Sequence, residues 1–218
     1  MPKQWPSYIK KSDEIRIESM PFILDDREAR FEVTEKLDGS SASYGLDRPF
    51  KYGGKYDFAV CSRNQRVDIS YEIENDDNVW RLIAKKYNIE EKMTSFANEV
   101  GAKTLYIQGE IISSKIQGNP YKLPPGEIDF YIYRIVVDRE GYSYQEVAEW
   151  AEEHDMKSVP LLETSYSVPD NMENMKEEAE GMSEINPKVK REGLVYRHID
   201  DAEISFKNVS NSYLLKHS

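Results

Sequence analysis

The run Phe31-Glu-Val-Thr-Glu-Lys36-Leu-Asp-Gly39-Ser-Ser-Ala-Ser-Tyr44 decides how this chain is read. Apolar and polar residues alternate up to the lysine and resume after the glycine. That pattern predicts a strand, a short connection and a second strand. A lysine at a strand end, followed by an acid and a glycine, is a candidate nucleophile. Its amine attacks phosphorus only when neutral, and a free lysine is protonated near pH 7. Burial, cationic neighbours or a bound metal can release the lone pair. Asp38 can orient the amine or hold a metal-bound water, and Gly39 lets the backbone approach a phosphate. Taken alone, the tetrapeptide fits an exposed hairpin turn better, because average composition supplies it in about one chain in twenty of this length. The decision therefore rests on what lies downstream.

The 218 residues are enough for one large domain or two small ones. The sequence contains no repeat, no apolar run long enough to span a bilayer and no signal-peptide pattern at Met1, so an intracellular, soluble protein with no membrane partner is expected. Cys61 is the single cysteine, which excludes an intramolecular disulfide and a cysteine zinc site. The 3 histidines, His154, His198 and His217, are too scattered for a histidine metal site. The formal charge of −11, from 29 basic and 40 acidic residues, argues against a non-specific nucleic-acid coat protein. It does not exclude a nucleic-acid enzyme, because many acids cluster between Glu140 and Glu184 and can face away from a polyanion.

Along the chain, the first 24 residues read as irregular, with Pro2, Pro6 and Pro21 and a short helix start at 12–16. Gly53-Gly54-Lys55 reads as a turn and Phe58–Ser62 as a strand leading to Arg63. Helical spacing covers Trp80 to Tyr87 and Met93 to Val100, with Gly101 as a stop. Leu105–Ile112 and Ile128–Val137 are strongly β, separated by a Gly/Pro loop. A helix is expected over 143–156, a short strand from Val159, an acidic helix over 169–181, and strands over 193–197 and 202–207. Strands and helices mix without regular βαβ alternation, and no linker stands out. The expectation is one α+β domain, 1–218, built on mainly antiparallel sheets.

Further positions gain chemical sense together. Arg63 follows a strand, Glu110 follows Gly109 inside an apolar strand, Tyr133 lies in the longest β run, Glu192 precedes Gly193, and Lys207 sits near the end. Singly, Arg63 and Lys207 read as solvated charges, Glu110 as half an ion pair, Tyr133 as core and Glu192 as a turn residue. Glu110 resists that reading most, since burying an unpaired acid is costly. The adjacent glycine leaves room for a close approach.

In this order the motifs resemble the covalent nucleotidyltransferase superfamily, and most closely its ATP-dependent RNA ligases of the RNA ligase 2 and RNA ligase 5 groups. Glu35-Lys-Leu-Asp-Gly39 is similar to the nucleophile motif, Cys61-Ser-Arg-Asn64 to the arginine motif, and Gly109-Glu-Ile-Ile112 with Ile116-Gln117 to the Gly-Glu motif. Asp129–Tyr133 resembles the adenine-stacking strand, Glu192–Tyr196 the metal-binding acid motif, and Ser205–Lys216 the closing lysine motif. Trp5–Arg16 is similar to the entry segment of the RNA ligase 5 group. The resemblance implies a nucleotidyltransferase (ATP-grasp-like ligase adenylation) fold with antiparallel sheets around an ATP pocket, in an intracellular or phage-encoded setting. It implies that Lys36 forms a covalent lysyl-AMP and that Lys207 neutralises the α-phosphate. Asp38 and Glu192 would hold Mg²⁺ or Mn²⁺. Glu110 would accept from a ribose hydroxyl, Arg63 would hold the ribose or the phosphate, and Tyr133 would stack on adenine. Backbone groups at Glu35 and Lys36 would read the base edge, and Arg16 would meet pyrophosphate or an RNA phosphate. RNA ends bearing a 5′-phosphate and a 3′-hydroxyl would be the partners.

Two departures stand out. Relatives usually carry an OB or helical accessory domain, and none is evident here, so a helper domain or protein is expected to position RNA. Relatives also carry Lys-x-Lys in the closing motif, where this chain has Ser205-Phe-Lys207. A DNA ligase core or capping guanylyltransferase would share the first step. A non-catalytic RNA-end-binding module would fit the acidic charge and Ser205 but leave Lys36 without a use.

Overall fold

The structure is a computed structural model that describes residues 4–48, 54–69 and 76–216. Pro2, Gly53 of the expected turn and His217 lie outside the described residues. Twelve strands run in chain order: β1 (Ile15–Arg16), β2 (Phe31–Lys36), β3 (Ser40–Asp47), β4 (Asp57–Cys61), β5 (Arg66–Val67), β6 (Thr104–Ser113), β7 (Ile128–Val137), β8 (Glu140–Gly141), β9 (Lys157–Ser158), β10 (Leu161–Tyr166), β11 (Gly193–His198) and β12 (Ser205–Val209). Five α-helices accompany them: α1 (Val79–Lys86), α2 (Ile89–Glu99), α3 (Tyr144–Glu153), α4 (Met172–Glu178) and α5 (Asn211–Lys216).

The strands form two sheets. One has five strands in the order β1-β12-β11-β2-β10, the other runs β5-β4-β3-β6-β7-β8 with β9 beside β7. All pairings are antiparallel except β1 with β12 and β7 with β9. The architecture is the expected α+β one. The decisive stretch crosses between the sheets: β2 belongs to the five-stranded sheet, β3 to the seven-stranded one, and Leu37-Asp38-Gly39 is the whole connection. It is therefore not a hairpin turn.

The cores explain this division. Leu105, Ile107, Phe130, Ile132 and Ile135 of the larger sheet bury one face against Ile83, Ile89, Met93, Val147 and Trp150 of α1, α2 and α3. Phe31, Val33, Tyr196 and Phe206 of the smaller sheet pack on Ile17, Ile23 and Met175. Trp5, Tyr8 and Ile9 cover Ala59, Cys61 and Tyr106 on the other face of the larger sheet. Burial of that kind contributes roughly 25 cal/mol per Å² of apolar surface and dominates the folding energy.

Buried charges bind the two layers to each other. Arg197 on β11, 2% exposed, donates to the Tyr133 and Tyr142 carbonyls (3.2 Å each) and lies 3.8 Å from the centre of the Tyr144 ring. Glu32 on β2 accepts from the Tyr144 and Gln145 backbone N–H groups at 2.7 and 3.0 Å, placing a carboxylate at the start of α3. Ser143 and Glu146 close the same helix end with a reciprocal capping box.

The expected helix start at 12–16 is not formed. Ile15 and Arg16 instead pair in parallel with Phe206 and Lys207, and a 3₁₀ turn follows at Ile17–Ser19. The open edge of β12 supplies backbone partners that a short isolated helix would lack. The acidic helix is shorter than expected, and the last strand begins at Ser205 rather than Ala202. Glu146, Glu149, Glu152 and Glu153 of α3 point to solvent.

Candidate active site

Between the sheets lies a cavity of about 460 Å³. Lys36 enters it from the end of β2 and Lys207 from β12. The opposite wall carries Glu110 on β6, Tyr133 on β7 and Arg63 just after β4. Residues separated in sequence by more than a hundred positions thus face one space.

Lys36 Nζ forms an ion pair with Glu192 Oε1 at 2.7 Å, and the two side chains are 24% and 12% exposed. Register explains the meeting: Gly193 at the start of β11 pairs with Lys36 at the end of β2. Glycine is required there, because a Cβ on Gly193 would sit 2.2 Å from the Asn208 carbonyl oxygen. Lys207 pairs with Val195 across β11 and β12. Burial, then the charges of Lys36 and Arg16, hold the Lys207 amine below its ordinary pKa. An anion beside the three cations would offset that repulsion.

The acids report the complementary strain. Burial pushes the Glu110 carboxyl up to about 8; Lys36 opposes the shift, while Glu192 and Asp38 add to it. Burial also raises Glu192, against the pull of Lys36. Three carboxylates crowd one lysine, and a divalent cation would relieve that crowding. Among the described residues, no group of three or more His, Cys, Asp or Glu side chains has metal-site geometry. Asp38 and Glu192 are oxygen donors of the kind a magnesium-type ion takes, one or two carboxylates beside waters and phosphate oxygens.

Tyr133 has its hydroxyl 3.3 Å from Ser41 Oγ, and burial followed by the Glu110 charge pushes its pKa up to about 12. Val195 lines the cavity from the five-stranded sheet, so an aromatic ring and a branched side chain bound the same space. Arg63 lines it as well and is paired with Asp13.

Several placements differ from expectation. The Glu35 backbone N–H donates to the Pro160 carbonyl at 3.0 Å, so it is not free to read a base edge. Its side chain accepts from the Glu184 N–H at 2.8 Å. Gly39 lines the cavity and is demanded by packing on its other side: a Cβ there would lie 2.3 Å from the Ile111 carbonyl oxygen. Gly109 admits no ligand, because Tyr131 and Phe130 fill its space beside a bulge. Arg16 lies outside the cavity wall, exposed beside Lys207. Asp38 and Glu192 sit next to Lys36 rather than in the wall itself.

Several wall residues escaped the sequence reading. Trp80 of α1 donates its indole N–H to the Ser41 carbonyl at 3.0 Å, and its helical spacing had marked it only as core. Gln117, quoted with the Gly-Glu motif but given no role, donates to the Gly39 carbonyl at 3.3 Å. Ser205, in place of a lysine, donates to Glu14, which also pairs with Arg134 at 3.2 Å. No local signal marked Glu14.

The family of RNA ligases matches residues 29–216 of the chain. Solved structures of Naegleria gruberi RNA ligase are also similar. The form with PPi gives a TM-score of 0.80 at 31% identity over 98% of this chain and 59% of that one. A variant with ATP and Mn gives 0.81 at 30% identity, with 98% and 60% covered. A variant with AMP and Mn gives 0.79 at 31%, again with 98% and 60% covered. The chain spans about three-fifths of the length of those structures. Among curated protein sequences, none matches significantly.

Proposed function

This chain belongs to the RNA ligase family, and we propose that it is an ATP-dependent RNA ligase that works through a lysyl-AMP on Lys36. The observation that carries the reading is the placement of Lys36 Nζ, 2.7 Å from Glu192, in a cavity that Lys207, Glu110, Arg63 and Tyr133 also line. An amine, a second cation for charge neutralisation, an acceptor, a guanidinium and an aromatic face are what a nucleoside triphosphate requires.

In this reading ATP enters with adenine on Tyr133 and against Val195. Glu110 accepts from a ribose hydroxyl, and Arg63 leaves Asp13 to hold the ribose or phosphate. The Lys36 amine attacks the α-phosphorus, the bond to the β-phosphate oxygen breaks, and pyrophosphate leaves. Lys207 neutralises the α-phosphate oxygens as charge builds, and Arg16 stands beside it for the departing pyrophosphate. Mg²⁺ or Mn²⁺ held by Asp38 and Glu192 would supply further charge neutralisation. The AMP then passes to the 5′-phosphate of an RNA end, and a 3′-hydroxyl displaces it to seal the strand. The solved Naegleria gruberi structures with ATP, AMP and Mn support the choice of ATP and of a divalent cation.

The test is incubation with α-labelled ATP and Mg²⁺. Label should stay covalently on the wild-type chain and be absent from Lys36→Ala. An unlabelled wild type, or a labelled Lys36→Ala, refutes the reading. Sealing is assayed separately with nicked RNA, nicked DNA and GTP in place of ATP.

A further inference from the structure

A second cavity, of about 60 Å³, lies across the N-terminal segment from the one that holds Lys36. Tyr8 and Lys10 line it, while Ser12, Asp13 and Glu14 line the first, so this segment is the partition between them. Gln108 Nε2 fixes the partition by donating to the Lys10 carbonyl at 2.8 Å. A water takes up about 30 Å³ in the liquid, so the space suits a phosphate-sized group and excludes a nucleoside.

The lining is cationic, in a chain whose formal charge is −11. Lys10, Arg134, Arg139 and Arg197 line the cavity, with Glu203 as its one carboxylate. Glu203 is taken by Lys10 at 2.8 Å, and Arg134 is paired with Glu14 at 3.2 Å. Among the described residues, Arg139 and Arg197 have no carboxylate partner. Arg197 is buried, its terminal nitrogens are used by the Tyr133 and Tyr142 carbonyls, and its Nε has no hydrogen-bond partner. Only carbonyl dipoles and the Tyr144 ring meet its charge. A buried charge without a counter-charge is costly, and an anion in the cavity would supply one.

The surroundings favour a strand over a free ion. Tyr8 and Tyr142 line the cavity and are partly exposed, and Lys10 and Arg139 are exposed beside them. Cations that neutralise a phosphate, with aromatic rings on which bases can stack, are what a single-stranded polynucleotide requires. We propose that this cavity is a phosphate-binding site separate from the ATP cavity, and that it anchors a phosphate of the RNA strand. The choice of RNA rests on the ligase reading above; the anion site does not.

The test measures binding of labelled single-stranded RNA to the full chain without ATP, over a range of salt. Arg139→Glu should weaken binding on the order of tenfold. Arg139→Ala should flatten the plot of log affinity against log salt by about 0.7, the value of one phosphate contact on a single strand. Lys55→Glu makes the same charge change at an exposed lysine that lines neither cavity, and should cost less than about twofold. Arg139 is exposed, so its substitution leaves the core intact. Lysyl-AMP formation from ATP should be the same in Arg139→Glu as in wild type, and a matching loss there would show that the cavities are not separate. Equal weakening by Arg139→Glu and Lys55→Glu, or a wild type that does not hold RNA, overturns the anchor. Inorganic phosphate is titrated in parallel. If Arg139→Glu loses phosphate binding but keeps its RNA affinity, the occupant is a free ion and RNA is overturned. A wild type that binds RNA through Arg139 but forms no lysyl-AMP refutes the catalytic reading and leaves the anchor standing.

Discussion

The two walls of the cavity differ in kind. The five-stranded sheet supplies the groups beside the reacting centre, Lys36, Glu192 and Lys207, all charged and paired by strand register. The seven-stranded sheet supplies Glu110 and Tyr133, with Arg63 just after β4 and Trp80 on α1 beside it, and these have the shapes and hydrogen-bonding groups to hold a nucleoside. On the proposed reading, reaction and recognition sit on separate scaffolds, joined by three residues. Variants on one wall should change the rate of the covalent step, and variants on the other should change affinity.

The sharpest way to break that division is Lys207→Ala. Loss of a charge that acts as pyrophosphate leaves should slow lysyl-AMP formation on the order of 10²–10³-fold, while the KM for ATP moves far less. A raised KM at unchanged rate would place Lys207 among the binding groups. On the opposite wall, Tyr133→Leu should raise the KM for ATP about tenfold, the scale of one lost base–aromatic contact, with a smaller change in rate. Tyr133→Phe should behave nearly as wild type, since the ring stacks without its hydroxyl. A rate defect in Tyr133→Leu at saturating ATP would erase the distinction between the walls.

The smallest effect concerns stability without ligand. The Glu110 carboxyl rises from an ordinary 4.5 to about 8, mainly through burial. Between those values the folded protein keeps a proton that the unfolded chain has lost. Stability is therefore fully present below about pH 4.5 and falls as the pH rises through 8. Glu110→Gln removes that slope. Its melting temperature should match wild type near pH 4 and exceed it at pH 8 by on the order of several degrees. The same variant should bind ATP less well, so the holding wall is stabilised by a change that disables it. Parallel pH profiles for the two proteins would refute this.

Much of the site was legible because its chemistry is written in short local patterns. Lys36, Glu110, Tyr133 and Lys207 each sit in a strand whose alternation marks which side chains share a face, and Glu192 directly precedes one. The main strands and helices followed from the same periodicities. The failures share one cause. The Glu35 N–H and the space beside Gly109 are expected to meet a ligand, but Pro160 holds the first and Phe130 and Tyr131 fill the second, all three further along the chain. The same holds for the 12–16 segment, which became a strand because β12 lay beside it. Tyr121, whose hydroxyl accepts from the Asp38 N–H, lies in no motif, and Glu14 lies in the entry segment without a role there, since their importance lies only in what they touch.

The sequence by itself determined which reactive groups the chain owns and which strand ends present them. Strand alternation is a property of neighbouring residues, so no distant contact is needed to read it. Only the tertiary structure decided that the Lys-Leu-Asp-Gly connection joins two sheets instead of closing a hairpin. The partners it gives Asp38, Glu35 and Ser205 were equally beyond reach of the sequence. Those outcomes depend on packing between segments tens to hundreds of residues apart, where burial and close backbone approach, rather than local propensity, select the contact.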